Sequence, residues 1–184
     1  SKDLRQQRPM NRLLQGEVGS GKTIVSAFAL HCSAKNGYQS VLMAPTEILA
    51  RQHFNTLESI FKNKLNLQLI TSTSKLKDLN FDIAVGTHAL LGKAVTFSNL
   101  GLIVVDEQQK FGVYQRQALR EKSKRAHFLT MTATPIPRTL ALTLYGKLDI
   151  STLEDLPFDR KKVKTYLVPQ VKRKGAYEFI QKEI

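Results

Sequence analysis

The chain has 184 residues, 42% of them apolar, and a formal net charge of +13 with a pI near 10.0. That length supports one domain with its own core, and the basic excess favours a polyanion, nucleic acid before anionic membrane. No apolar run reaches the ~18 residues of a membrane helix, Ser1–Arg8 lacks the apolar core of a signal peptide, and Cys32, the single cysteine, excludes an internal disulfide or a cysteine-rich zinc site and fits a reducing cytoplasm.

Ser1–Arg12 is polar and basic and reads as the end of a helix and a turn. The short apolar run Leu13-Leu14 predicts a strand. It leads into Gly16–Thr23, G-E-V-G-S-G-K-T, and then into Thr23–His31, which is apolar at helical spacing. Strand, glycine loop and helix form the context of a phosphate-binding loop. Gly16, Gly19 and Gly21 let the backbone curl so that N–H groups converge on an anion. Glu17, Val18 and Ser20 complete the loop, and the helix start adds free N–H groups and a positive dipole end. Lys22 is expected to reach the β- and γ-phosphates, and Thr23 to place its hydroxyl on Mg²⁺. A nucleoside triphosphate follows from the loop; the reaction does not.

Ser40–Ala44 predicts a buried strand ended by Pro45. Glu47–Phe61 predicts a helix with Ile48, Leu49, Phe54, Leu57, Ile60 and Phe61 on one broad face. Leu65–Ile70 predicts a strand, Thr71–Leu79 a loop or short helix, and Phe81–Val85 another strand. Leu100–Val105 is apolar on both faces, as a central parallel strand is. His127–Met131 predicts a strand and Arg138–Leu144 a helix. The alternation implies an α/β fold, a doubly wound, mainly parallel sheet with helices on both faces, whose ligands sit at the C-terminal strand ends. Beyond Leu156-Pro157 the pattern changes. A basic connector, Phe158–Lys164, precedes a strand expected at Val163–Val168 and a helix at Gly175–Ile184.

Asp106-Glu107-Gln108-Gln109 ends the most apolar strand. Asp106 suits the carboxylate that holds the Mg²⁺ shell, and Glu107 the base that orients and deprotonates water. Such a base favours hydrolysis over transfer to another hydroxyl. Thr132-Ala-Thr-Pro135 offers two hydroxyls at the next strand end. Pro45-Thr46-Glu47 and Gly86-Thr87-His88 present N–H groups and hydroxyls suited to nucleic-acid phosphates, although each, taken alone, reads better as a helix cap.

Taken together, G-E-V-G-S-G-K-T, A-P-T-E-I-L-A-R-Q-H, V-G-T-H-A-L-L, D-E-Q-Q-K-F-G-V and T-A-T-P-I-P-R-T-L resemble, in this order, the motifs of superfamily 2 helicases. Within them the chain is most similar to the RecG branch of bacterial branched-DNA helicases, over essentially its whole length. The resemblance implies a RecA-like ATP-binding motor domain at residues 1–156 and the start of a second at 157–184. It implies ATP and Mg²⁺ at Gly16–Thr23, with Asp106 and Glu107 as metal carboxylate and base. Pro45, Thr46, Glu47, Gly86, Thr87 and His88 would lie along a DNA backbone, and Gln109, Thr132 and Thr134 would couple hydrolysis to DNA movement. Branched or forked DNA is the implied partner. The family's adenine-reading glutamine, wedge domain and second-domain arginines would lie outside this sequence.

Three departures stand out. Gln109 replaces the usual histidine of the acidic box, which implies weakened coupling. Lys110 replaces an arginine and gives up its planar fork. The stretch between Ile70 and Phe81 is short. The transcription-repair coupling translocases share the T-A-T-P-I-P-R block but differ at Ser20, usually phenylalanine there, and at Gln108, usually glutamate. A nucleotide-gated DNA-binding module without catalysis, prompted by Gln109, and a P-loop enzyme for a small molecule are the rival readings. Intact Lys22, Asp106 and Glu107 argue against the first; Glu107 and the basic charge argue against the second.

Overall fold

A computed structural model describes residues 2–6, 8–74, 80–107, 110–111, 118, 121–122, 125–134, 148–154 and 165–183. In chain order the main elements are β1 (Asn11–Gly16), α1 (Lys22–Lys35), β2 (Gln39–Met43), α2 (Glu47–Phe61), β3 (Leu67–Ile70), β4 (Ile83–Gly86), β5 (Leu100–Asp106), β6 (His127–Thr132), β7 (Asp149–Leu153) and α3 (Arg173–Glu183). The strands form one sheet in the order β3-β4-β2-β5-β6-β1-β7, with every pairing parallel. The predicted doubly wound α/β fold is therefore the observed one.

The centre of the sheet explains the apolar run in β5. Ile103 and Val105 join one core layer with Val41, Met43, Phe81 and Phe128. Leu102 and Val104 join the opposite layer with Leu14, Leu30, Leu42, Leu57 and Met131. Alternate side chains of one strand thus fill both layers, each fully buried side chain contributing about 1.5–3 kcal/mol. α1 and α2 both pack on the second layer, through Ala27, Leu30, Leu57 and Phe61. The first layer is closed by Leu90 of a 3₁₀ turn at His88–Leu91, by Val95 and by Phe111.

Some expectations fall differently. Asp3–Arg5 is a 3₁₀ turn. The β7 edge strand was not anticipated, and Thr165–Pro169 carries no regular structure where a strand was expected. A strand exists only with a neighbour to take its ladder bonds. No described residue of 165–183 is buried. The helix expected at Arg138–Leu144, the connector at 158–164, and Gln108, Gln109 and Pro135 lie outside the described residues.

Candidate nucleotide site and nucleic-acid edge

Register brings the motifs together. Gln15 of β1 stands opposite Thr132 of β6, and Asp106 of β5 opposite Met131 of β6. The three C-terminal strand ends carrying Gly16, Thr132 and Asp106 therefore lie side by side, about 5 Å apart from strand to strand. On the other side of β5, Met43 of β2 stands opposite both Val105 and Gly86. Ala44–Glu47 and Gly86–His88 therefore leave the same edge of the sheet. Nucleotide motifs occupy one half of this edge, the expected DNA-facing motifs the other, and β5 divides them.

The loop after β1 has the predicted backbone. Gly19 and Gly21 sit at φ 84° and 92°, conformations that cost a side-chain-bearing residue about 1–2 kcal/mol. A turn closes through Ser20 N–H donating to the Glu17 carbonyl at 3.1 Å. Gly21 starts α1 with no side-chain cap, and no acidic residue stands in the first turn. The free N–H groups and positive dipole end of α1 are thus open to an anion. Lys22 folds back, its Nζ donating to the carbonyls of Gly16 at 2.6 Å and Glu17 at 2.7 Å. A phosphate in the loop would compete with these two carbonyls for the ammonium. The Ser20 hydroxyl is buried with no hydrogen-bond partner. Thr23 and Asp106 supply oxygen donors only, the set a hard cation such as Mg²⁺ prefers.

Glu107 has φ 49°, in the left-handed region that a glutamate rarely adopts. Its N–H still donates to the Met131 carbonyl at 2.9 Å. The turn directs the carboxylate towards the end of β6. Oε2 accepts from the Thr132 hydroxyl at 3.3 Å, and Oε1 accepts from the Ala133 N–H at 3.2 Å. Thr132 and Thr134 hydroxyls lie 2.9 Å apart. With Thr132 donating to Glu107, Thr134 is the donor in that pair. Glu107, Thr132 and Thr134 thus form one hydrogen-bonded chain.

The other half of the edge is more structural than its motifs suggest. Thr46 caps α2, accepting from Leu49 N–H at 3.3 Å, and stays exposed. Glu47 accepts from Thr73 at 2.6 Å and from Arg51 at 2.8 Å. These bonds, Thr73 first, hold its carboxyl below the ordinary range. Thr87 is buried and accepts from Ala89 N–H at 3.5 Å. Gly86 is buried as well, and a Cβ there would run into the Ile70 carbonyl oxygen. His88 is exposed, while Pro45 is only partly so. In the basic cluster at 122–125, Lys122 donates to the carbonyls of Gly92 and Val95, and burial lowers its pKa. Lys122 therefore ties down a loop. Sequence reasoning missed His53, whose Nε2 lies 2.8 Å from Oδ2 of Asp106.

The family pattern of DEAD/DEAH box helicases matches residues 3–143. The chain belongs to the DEAD/DEAH box helicase family. This DEAD/DEAH box chain is similar to ATP-dependent DNA helicase RecG of Synechocystis, at 46% identity over 99% of its own length and 23% of that protein's. For the RecG of Thermotoga maritima the figures are 44%, 99% and 25%, and for that of Bacillus subtilis 47%, 95% and 27%. The chain thus spans about a quarter of the length of the curated relatives it matches. A solved structure described as RecG bound to a three-way DNA junction superposes with a TM-score of 0.79 at 39% identity, over 99% of this chain and 26% of that one. Yeast Dbp5 bound to RNA and ADP BeF3, at 23% identity and a TM-score of 0.66 over 83% of this chain and 44% of that one, shares the fold. Among the described residues no helix is long and apolar enough to cross a membrane.

Proposed function

We propose that this chain is the first motor domain, residues 1–156, and the opening of a second, 157–184, of an ATP-driven DNA helicase. Its substrate would be branched or forked DNA in recombination and repair. One observation carries the reading: the turn at Glu107, just after β5, directs its carboxylate onto Thr132 and Ala133 at the end of β6, the strand next to the one that leads into the phosphate-binding loop. That arrangement suits a water-activating base linked to a reporter of nucleotide state. Lys22 and the amides of Gly19–Thr23 hold the phosphates, and Glu107 takes the proton of the attacking water. Thr23 and Asp106 would hold Mg²⁺, whose positive charge would offset that of the phosphates when bound. Thr132 and Thr134 pass the change at Glu107 to the neighbouring surface. Exposed Thr46 and His88 are the side chains best suited to meet DNA phosphates. The names of the relatives support the DNA assignment, and the junction-bound neighbour supports a branched substrate. The absence of buried residues in 165–183 supports a boundary near residue 157. A lone Cys32 supports a cytoplasmic setting.

The test uses the full-length protein that contains this chain. Lys22→Ala removes a phosphate contact and is expected to weaken ATP binding and hydrolysis together. Glu107→Gln keeps the shape and removes the base. It is expected to bind ATP normally and turn over roughly a hundredfold more slowly or worse. Undiminished turnover in Glu107→Gln would overturn the assignment.

A further inference from the structure

We infer that His53 is a positioning residue for the metal carboxylate, carried on the helix that begins at the DNA-facing edge. The inference rests on the helicase reading, which assigns Asp106 its task. His53 Nε2 and Asp106 Oδ2 are 2.8 Å apart, and both side chains are largely buried, 12% and 13% exposed. A carboxylate can only accept, so the imidazole donates through Nε2. Asp106 ends β5 and His53 belongs to α2, and 53 residues separate them. This bond therefore fixes the carboxylate against a different element, which the turn after β5 cannot do by itself.

The placement of α2 gives the bond a second consequence. α2 starts at Glu47, capped by Thr46, and Glu47 is tied to Arg51 and Thr73. His53 stands seven residues beyond Thr46, about 10 Å along the axis. A helix of two turns between them transmits displacement as a rigid rod. The capped end that would meet a DNA phosphate and the donor that orients Asp106 thus move as one piece. Partners that orient metal-holding groups typically contribute about 10–100-fold in metal affinity or activity.

The experiment replaces His53 in the full-length protein by Gln, Ala and Phe. The Gln amide nitrogen reaches about as far as Nε2 and keeps a donor. Ala removes the donor and the volume, and Phe removes the donor alone. Affinity for fluorescent ADP is measured by equilibrium titration with and without Mg²⁺, and ATPase is measured against Mg²⁺ concentration with and without forked DNA. Ala and Phe are expected to need at least about tenfold more Mg²⁺ for half-maximal turnover and for tight ADP binding. Mg²⁺-free ADP affinity is expected to stay the same, stimulation by DNA to fall, and Gln to restore most of both. If Ala does not fold, the contrast between Gln and Phe decides. A Mg²⁺ requirement in Phe equal to that of the unaltered protein would overturn the inference, as would Gln behaving like Phe. Lys22→Ala, run alongside, keeps the two readings apart: normal nucleotide binding there would sink the helicase reading itself.

Discussion

The Thr132 hydroxyl donates to Oε2 of Glu107 at 3.3 Å, so the last residue of β6 holds the carboxylate that follows β5. Thr134 backs Thr132 at 2.9 Å. Thr132→Ala leaves Glu107, the proposed base, in place but cuts its link to the 132–134 turn. A hydrogen bond to a charged group is worth about 1.5–3 kcal/mol, roughly ten- to a hundredfold. We expect the full-length variant to hydrolyse ATP at a rate closer to normal than its rate of DNA strand separation. A parallel fall of both activities would deny the coupling role.

Gly86 is needed for packing whatever the motif around it contacts. β3 and β4 approach so closely that Thr87 N–H donates to the Ile70 carbonyl, and a Cβ on Gly86 would strike that same oxygen and crowd Leu90. Both obstacles are in the core, so relief requires backbone movement. Gly86→Ala is expected to destabilise by about 1–3 kcal/mol or more. Chemical denaturation measures it, and an unchanged midpoint would refute the close approach.

His127 makes the start of β6 sensitive to acid. Its Nδ1 accepts from the Met10 N–H at 3.0 Å, which requires an unprotonated nitrogen. Burial lowers its pKa from the ordinary 6.5, a shift that the Asp3 carboxylate only partly opposes. Well above 6.5 the ring is neutral folded and unfolded. As pH falls through 6.5 the unfolded chain takes up the proton first, so stability is lost until the folded ring also titrates. The unfolding free energy of the unaltered chain should therefore drop relative to His127→Gln between pH 7.5 and 5. Parallel pH profiles would exclude His127 as the source.

Most of this architecture was legible because the central strands are buried on both faces. Leu102–Val105 announces itself without reference to partners, and Glu47–Phe61 is amphipathic enough to give its own ends. β7 was hidden because an edge strand, Asp149-Ile-Ser-Thr-Leu153, is half polar and makes sense only beside β1. The stretch at Thr165–Val168 misled in the opposite direction: its apolar residues suggest a strand, yet it has no sheet neighbour. At the site, glycine spacing and adjacent carboxylates were readable as chemistry. The left-handed turn at Glu107 and the His53–Asp106 bond were not, since both depend on contacts between distant elements. His53 sits among the apolar positions of α2, where a lone histidine gives no signal.

The last prediction concerns this chain by itself, which should bind ATP weakly and hydrolyse it very slowly. On the proposed reading Gly16–Thr23 would grip phosphates from one side, and Lys22, the loop's own cation, begins engaged with the Gly16 and Glu17 carbonyls. Asp106 and Glu107 add negative charge to the same edge. Phosphoryl transfer also needs positive charge opposite the loop, where an arginine typically contributes about 10³–10⁵ in rate. The face beside the loop is open: Val18 is 73% exposed, and Ile24 and Phe28 of α1 are exposed too. An apolar rim next to a phosphate loop is suited to a second body closing over it. Turnover is to be measured for residues 1–184 with saturating forked DNA, then for the full-length protein under the same conditions. We expect the full-length rate to exceed the fragment's by a factor of roughly 10³ or more. Comparable rates would mean that the described edge holds the whole catalytic apparatus, and the requirement for a second domain would fall.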